Sequence, residues 1–304
     1  MAISAFGNNA IAPPMMQSSP NAPFPANPAH PTPSQWDNFL QNLGEWQGSF
    51  TRMSSQGVIQ KDSPSNLVLE ESPQGASVRL TLRLFDPETG EVDWERVLDF
   101  TSVSPNIVYF EDGAFSRGAL HISPFSQVGA EFCLMAGDRR LRLVQLYGTD
   151  AHLSQVTLIR EKRAGSDAPE RSPLVLENLL GTWQGKAVTR YADHTTVERY
   201  ETRLVWKREG DRITRHWQTP HETVAAIGHH AGSTLLFNEA ERPMQVLLLP
   251  DAASSTTPLQ VPSGQPFCSE IGWLLEPDTH QRIIRNHDTN GNWISATHIT
   301  EYRS

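Results

Sequence analysis

Cysteine is scarce in this chain, and acidic residues outnumber basic ones. Only Cys133 and Cys268 occur among 304 residues. Two thiols so far apart cannot build a cysteine zinc site or a disulfide-rich secreted scaffold, so a reducing compartment is the simplest expectation. The 25 basic and 34 acidic residues give a net charge of −9, which argues against general nucleic-acid binding and against polybasic attachment to anionic lipid.

Long apolar segments are missing as well. No window approaches the roughly 20 apolar residues of a membrane-spanning helix. The first Lys or Arg is Arg52, so the N-terminus lacks the charged region that begins a signal peptide. These two absences predict a soluble, cytoplasmic protein without a membrane span.

The usual catalytic and metal-binding motifs are also missing. Four histidines, His216, His221, His229 and His230, are close in sequence, but the adjacent pair would point to opposite faces of a strand and could not bind one ion. There is no His-Glu-x-x-His segment. Residues 113–118 (Gly-Ala-Phe-Ser-Arg-Gly) are one residue too long for a nucleophile elbow. We therefore predict no metal site, no catalytic residue and no enzymatic activity.

The most informative feature that is present is a repeat. Residues 43–48 read Leu-Gly-Glu-Trp-Gln-Gly and residues 180–185 read Leu-Gly-Thr-Trp-Gln-Gly, which places Trp183 137 residues after Trp46. Residues 157–161 and 297–301 share the pattern Thr-x-Ile-x-Glu. Agreement at the start and the end of a long repeat predicts two similar domains in tandem.

Composition gives the predicted boundaries. Residues 1–33 form a Pro-rich tail, residues 34–163 a first barrel, residues 164–173 a linker and residues 174–304 a second barrel. Proline lacks the amide donor that helices and sheets need, so a flexible tail is the simpler interpretation. The alternative is a docking arm that binds a protein complex, with Met15, Met16 and Phe24 as its anchors.

Both repeats have the pattern of antiparallel β structure. Val78, Leu80, Leu82 and Leu84 alternate with polar residues, as expected for a half-buried strand. About nine short strands follow one another in the first repeat without helices for parallel crossovers. We predict an all-β protein of two tandem antiparallel up-and-down barrels with short flanking helices. Residues 251–266, rich in Ser, Thr and Pro, are predicted to form a long loop.

The Gly-x-Trp segment that enters each first strand resembles that of the lipocalin and calycin group of β-barrels. The resemblance implies that Trp46 and Trp183 plug one end of each barrel. It also implies a basic residue of the last strand over each indole ring, where a cation–π contact forms. The candidates are Arg160, Lys162 or Arg163 in the first repeat and Arg303 in the second.

The chain after the tail also resembles a cyanobacterial family of two-domain, lipocalin-like proteins of uncharacterised function, domain of unknown function 3598. Four stretches carry this resemblance: residues 42–50, 110–116, 139–146 and 246–251. It implies the fold and an association with photosynthesis, but it brings no activity or catalytic residue.

A barrel of this size either holds one small ligand or is filled by its own side chains. Several charged residues lie on strands with apolar neighbours and are candidates for the interior, where arginine would bind a ligand carboxylate: Arg79, Arg83, Glu131, Arg142, Glu270, Arg282, Arg285 and His287. The alternative is that these charges face solvent. Candidate ligands are a bilin, another tetrapyrrole, a carotenoid or a fatty acid.

Three functions remain open from the sequence. The first is a non-enzymatic binding or scaffold protein that holds an apolar or tetrapyrrole ligand in a barrel. The second is an accessory or assembly subunit of a large photosynthetic complex, docked by the N-terminal tail and peripheral to that complex. The third is a lyase or chaperone that attaches chromophores to phycobiliproteins.

Overall fold

The computed structural model describes residues 33–122, 127–238 and 243–304. The predicted tail, and with it the docking-arm hypothesis, therefore lies outside the described residues except for Pro33. Apart from two short helices, every regular element in these ranges is a β-strand, and all of their strand pairs are antiparallel. The predicted all-β class and the two-part organisation are confirmed, whereas the domain boundaries at 34–163 and 174–304 stay a prediction.

The first part, called the half-barrel below, is one curled sheet with the strand order β4-β3-β2-β1-β9-β8-β7-β6-β5. Its elements are α1 (Gln35–Leu40), β1 (Gly44–Ser54), β2 (Ile59–Glu71), β3 (Val78–Phe85), β4 (Val92–Phe100), β5 (Ile107–Tyr109), β6 (Phe115–Gly118), β7 (Val128–Ala136), β8 (Arg139–Tyr147) and β9 (Leu153–Arg163).

The prediction of a closed first barrel is wrong. Strands β4 and β5 do not pair with each other, so the described sheet has two edges. Residues 101–106 run directly from β4 to β5 without forming a strand between them. The edge of β5 is occupied instead by α1, because Gln35 Nε2 donates to the Tyr109 carbonyl at 2.9 Å and Gln35 Oε1 accepts from the Tyr109 amide at 2.7 Å.

The second part, called the closed barrel below, pairs all ten of its strands in order around a ring. Its elements are α2 (Leu176–Leu179), β10 (Gly181–Tyr191), β11 (Val197–Glu209), β12 (Arg212–Gln218), β13 (Thr223–Ala231), β14 (Thr234–Phe237), β15 (Met244–Leu248), β16 (Ala253–Thr257), β17 (Phe267–Glu276), β18 (Thr279–His287) and β19 (Trp293–Arg303). For this part the prediction of an up-and-down barrel is confirmed.

Strand β16 corrects the predicted long loop at residues 251–266. All five residues of this Ala-Ser-Ser-Thr-Thr strand are buried. Two of its four hydroxyl groups have partners on β8 of the half-barrel: Gln145 Nε2 donates to Ser255 Oγ at 2.9 Å, and the Tyr147 hydroxyl bonds Thr257 Oγ1. These bonds to the other part of the molecule help a polar sequence to form a buried strand here.

The half-barrel and the closed barrel pack against each other through one apolar cluster. Leu141 and Leu143 of β8 belong to the same buried cluster as Trp273 of β17 and Ile283 of β18. Every residue of β8 is buried, since its odd-numbered side chains lie in this contact and its even-numbered ones face the interior of the half-barrel. The shared core makes the two parts one folding unit energetically, because neither can expose this face without losing burial.

The repeated Trp residues have matching environments. The indoles of Trp46 and Trp183 are fully buried, and their Nε1 atoms donate to the carbonyls of Asn42 and Leu179 at 2.9 and 2.8 Å. The guanidinium carbon of Arg163 lies 4.0 Å from the centre of the Trp46 ring, and that of Arg303 lies 4.4 Å from the Trp183 ring. These are the basic partners that the resemblance implied; the role of the Trp side chains as barrel plugs stays a prediction.

Candidate functional site

The two parts carry equivalent buried charge clusters. Counting along paired strands from Trp46 and Trp183 brings four positions of the half-barrel into register with four of the closed barrel. The pairs are Glu131 with Glu270, Arg140 with His280, Arg142 with Arg282, and Glu161 with Glu301. Both clusters lie on the interior faces of β7 to β9 and of β17 to β19.

The half-barrel cluster is built around Arg142. Its Nε and Nη2 donate to the two carboxylate oxygens of Glu161 at 3.0 and 2.8 Å, and its Nη1 donates to Glu131 Oε1 at 2.9 Å. Arg140 Nε donates to Glu161 Oε2 at 2.8 Å. Arg140 also stacks on Trp46, 4.3 Å from the ring centre, and its Nη2 atom is buried without a hydrogen-bond partner.

The closed-barrel cluster is built around Arg282. Its Nε lies 3.1 Å from Glu301 Oε1, and its Nη1 donates to Glu270 Oε1 at 3.2 Å. Arg215 of β12 donates from Nη2 to Glu270 Oε2 at 2.9 Å. His280 Nδ1 lies 2.8 Å from Glu301 Oε1. Two carboxylates and two guanidinium groups thus balance each other beside a histidine.

Mutual pairing keeps these buried groups charged. Burial by itself raises the pKa of the Glu161 carboxyl, but the charges and hydrogen bonds of Arg140 and Arg142 outweigh it and lower the pKa to about 2. Burial likewise raises the pKa of Glu301, whereas the Arg282 charge and the His280 hydrogen bond lower it to below its usual range. Both carboxylates are therefore ionised at neutral pH.

Two of the sequence-predicted interior residues lie outside. Arg79 and Arg83 of β3 are on the exposed face of the half-barrel, where they pair with Asp99 at 2.8 Å and Glu95 at 2.5 Å. Their predicted interior position is wrong because the alternation of β3 directs its leucines, and not its arginines, to the concave face. For these two residues the solvent-facing alternative is correct.

Arg285 and His287 of β18 are buried, but they face the contact between the two parts and not a barrel interior. Arg285 donates to Ser116 Oγ at 3.3 Å and to the Ala119 carbonyl at 3.1 Å, and burial lowers its pKa to about 9. His287 stacks on Phe267 with ring centroids 4.6 Å apart. The prediction that these two residues line a ligand cavity is therefore wrong in its geometry.

A cavity lies on the concave side of the half-barrel, along the seam between β4 and β5. Its volume is about 130 Å³, within about 940 Å³ of unfilled space that includes the solvent at its open mouth. The wall is mostly apolar, with Leu67, Leu69, Leu80 and Leu82 from β2 and β3. Predicted residues Glu131 and Arg142 line it, and so does Arg140.

The interior of the closed barrel is occupied by its own large side chains. Trp183, Trp206, Trp217 and Phe237 belong to one buried cluster inside it. The guanidinium carbon of Arg282 lies 4.3 Å from the Trp217 ring centre. Predicted residues Glu270 and Arg282 are buried in this interior, and a ligand-binding role for them stays a prediction.

The comparisons with known proteins place this architecture in a family. Residues 32–166 match the family model described as the N-terminal domain of DUF3598. A crystal structure of a DUF3598-family protein of unknown function from Nostoc punctiforme is 40% identical, covers 90% of this chain and 100% of its own, and has a TM-score of 0.84. The chain belongs to the DUF3598 family.

The other matches of this DUF3598 chain concern its second part or are remote. Residues 170–304 match the family model described as the C-terminal domain of biogenesis factor required for ATP synthase 1. The S-type phycobiliprotein lyase CPES from Guillardia theta is 12% identical, covers 42% of this chain and 89% of its own, and has a TM-score of 0.31, which is too low to support an argument. No curated protein matches the sequence.

Sequence analysis missed several members of the DUF3598 charge clusters: Arg140, Glu161, Arg215, His280 and Glu301. A signal for two of them was present, because the shared Thr-x-Ile-x-Glu pattern ends on Glu161 and Glu301. That pattern marked the repeat but was not interpreted as part of a site. Arg215 gave no comparable signal, since the equivalent position in the first repeat is Leu80.

In the described ranges, no group of three or more His, Cys, Asp or Glu side chains is arranged to hold a metal ion. Neither helix of these ranges has the length and hydropathy of a membrane span.

Proposed function

We propose that this DUF3598 protein is an assembly factor for a multisubunit complex, and that the complex is an ATP synthase. The observation that carries the proposal is the match of residues 170–304 to the C-terminal domain of a biogenesis factor required for ATP synthase. That range includes every element of the closed barrel, from α2 to β19. The proposal corresponds to the second of the three functions that the sequence left open.

The geometry supports a scaffolding role. The half-barrel and the closed barrel share one apolar cluster and are also joined by main-chain hydrogen bonds, such as Leu153 N to the Leu259 carbonyl at 2.8 Å and Trp293 N to the Leu120 carbonyl at 2.9 Å. A rigid body loses little conformational entropy when it binds a partner. A factor that holds an unassembled subunit benefits from that property.

Deletion of the gene tests this proposal in the source organism. We expect less assembled ATP synthase on native gels and more of its subunits in unassembled form, restored by re-expression of the full chain. Another large complex of the same membrane serves as the control and should be unchanged. A normal amount of assembled ATP synthase in the deletion strain would contradict the proposal.

The docking-arm hypothesis is a finer part of this proposal and has its own test. A tagged protein that lacks residues 1–33 should lose co-purification with ATP synthase subunits, while its thermal melting stays that of the full chain. Equal co-purification by the truncated and the full protein would exclude the tail as the docking arm and leave the assembly role itself intact.

We infer as a second candidate function that the half-barrel binds a ligand, which was the first hypothesis from the sequence. The mostly apolar cavity with arginines in its lining supports this interpretation. The Gly-x-Trp entry with an arginine over each indole supports a lipocalin-like assignment for both parts. Mass spectrometry and absorbance spectra of the purified protein test it, since a preparation that carries and takes up no lipid or pigment would contradict it.

The lyase hypothesis and the absence of enzymatic activity both stay predictions. Co-expression with a phycobiliprotein subunit and a bilin tests them together. A covalent adduct above the background of subunit and bilin alone would contradict the prediction that the protein is not an enzyme, and its absence would contradict the lyase hypothesis.

A further inference from the structure

We propose that the half-barrel cavity binds one amphipathic anion, with an apolar body along its leucine wall and a carboxylate directed at Arg96 and Arg117. The inference rests on the second candidate function above and deepens it by naming the class of ligand. It follows from comparing the two parts position by position, because the closed barrel shows which side chains fill an interior of this design.

The strand register defines the equivalent positions. Trp46 pairs across strands with Leu67, which pairs with Leu82, and Trp183 pairs with Leu204, which pairs with Trp217. The same counting from Gly44 and Gly181 gives two more equivalences. The closed barrel thus has three large side chains where the half-barrel has leucines: Trp206 for Leu69, Arg215 for Leu80 and Trp217 for Leu82.

In the described ranges the half-barrel also has one strand fewer than the closed barrel. Counting inward from the other edge, β5 is equivalent to β15 and β6 to β16. Strand β14, between β13 and β15, therefore has no counterpart among the described strands. Its Leu235 and Phe237 are fully buried in the closed barrel.

Five large side chains account for the different interiors: Trp206, Arg215, Trp217, Leu235 and Phe237. In the closed barrel Trp217 stacks on Arg282, Trp206 packs edge-on against Phe237 with centroids 6.0 Å apart, and Arg215 bonds Glu270. In the half-barrel, Leu69, Leu80 and Leu82 stand in place of Trp206, Arg215 and Trp217, and all three leucines line the cavity. The cavity is therefore the volume that the protein's own side chains fill in the other repeat, and an apolar ligand body would restore the lost contacts.

The lining charges identify the other end of the ligand. Arg117 stands where the closed barrel has Thr256, Arg96 where it has Val224, and Arg140 where it has His280. Four arginines and one glutamate line the cavity, and Glu161 beneath them adds one more carboxylate. Arginine is therefore the commonest charged residue of this lining, whereas the closed-barrel cluster holds two arginines and two glutamates.

An anionic group in the ligand would meet arginine side chains at this end of the cavity. Arginine binds carboxylates through two parallel hydrogen bonds. Arg96 and Arg117 are both half-buried, so solvent and a ligand can reach them. Both already interact within the protein, and the ligand carboxylate would add to these contacts. The shared chemistry of a fatty acid and a tetrapyrrole propionate fits this arrangement.

Calorimetric titration of the delipidated full chain tests the class of ligand. The probes are oleate, biliverdin and the uncharged analogue oleyl alcohol. We expect one oleate or one biliverdin to bind per chain, and the one that binds more tightly identifies the source of the carboxylate. Oleyl alcohol should bind at least about tenfold more weakly than oleate. Equal binding of oleate and its alcohol would overturn the anionic class but not the cavity as a ligand site. Binding of none of the three would overturn both.

Variants that copy the closed barrel localise the binding. Leu82→Trp introduces the side chain that Trp217 has at the equivalent position, and it should abolish binding of the probes. Unchanged binding in a variant with the wild-type melting curve would overturn the proposal. Arg117→Thr introduces the residue that the closed barrel has at the equivalent position, Thr256. It should weaken binding of the preferred carboxylate at least about tenfold without affecting binding of the alcohol. Arg79→Thr removes the same charge from the outer face and should change neither. Equal carboxylate binding by the Arg117 and Arg79 variants would also overturn the proposal, even if the Leu82 variant failed to fold.

Discussion

Arg139 of the half-barrel and Asp251 of the closed barrel form a buried ion pair, with Arg139 Nη2 and Asp251 Oδ2 2.5 Å apart. The side chain of Arg139 is 5% exposed and that of Asp251 is not exposed. Asp251 Oδ1 also accepts a hydrogen bond from the Arg171 main chain at 2.6 Å. This one carboxylate therefore ties the closed barrel both to the half-barrel and to the segment that connects the two.

Replacing Asp251 by alanine should strongly destabilise the protein. The substitution leaves Arg139 buried without its partner, which costs about 3–5 kcal/mol of unfolding free energy. Urea unfolding followed by tryptophan fluorescence measures the effect. Asp99→Ala is the matched control, because it breaks the exposed pair with Arg79 and should cost much less. Equal losses of unfolding free energy in the two variants would show that the buried pair contributes no more to stability than the exposed pair.

Replacing either repeated tryptophan by alanine should cost about 3–5 kcal/mol, because each indole is fully buried and its removal leaves a cavity. Thermal melts of Trp46→Ala and Trp183→Ala measure the loss. Trp94→Ala, at a half-buried position of the edge strand β4, should lower the melting temperature less. A melting curve unchanged by the first two substitutions would contradict the predicted role of Trp46 and Trp183 as barrel plugs.

Gly44→Ala should destabilise the half-barrel through the chain entry that the repeat preserves. Gly44 has φ +113°, in the region that L-residues avoid, and an added Cβ would collide with the Arg163 guanidinium. Gly90 also has a positive φ, +72°, but no atom lies within 4 Å of the added Cβ. Urea unfolding should therefore show that Gly44→Ala costs at least about 1 kcal/mol more than Gly90→Ala. Equal costs would mean that the contact with Arg163 adds nothing.

Acid should weaken the protein through Glu161. Its pKa is about 2 in the folded protein against an ordinary value of 4.5, so the unfolded chain binds the proton more tightly. The stability that this group contributes is present above about pH 5 and is lost as the pH falls toward 2. Urea midpoints measured across this range should fall more steeply for the wild type than for Glu161→Gln. Identical slopes would contradict the lowered pKa.

Most of the strand pattern could be predicted from the sequence, because alternation of apolar and polar residues is a local property. Strand β3, for example, occupies the predicted residues Val78–Phe85. Strand β16 was missed because its residues are polar and the hydroxyls of Ser255 and Thr257 find their partners on Gln145 and Tyr147, more than a hundred residues away.

The candidate site was less predictable, because alternation separates two faces of a strand without saying which one is inside. Arg83 and Arg142 have similar apolar neighbours in sequence, yet Arg83 meets solvent and Arg142 meets Glu131 and Glu161. Strand β8 is buried on both faces, so its pattern alone carries little information about the interior.

The sequence by itself determined the β class and the duplication, since these follow from local periodicity and from a motif present twice; the arginine over each of Trp46 and Trp183 was implied by the resemblance to lipocalins. The tertiary structure alone decided that the first repeat stays open and the second closes. The closed barrel has the additional strand β14 and a few bulkier side chains, and these differences appear only when distant strands are brought into register. The cavity beside Arg142 exists because leucines stand where the other repeat has Trp206, Arg215 and Trp217.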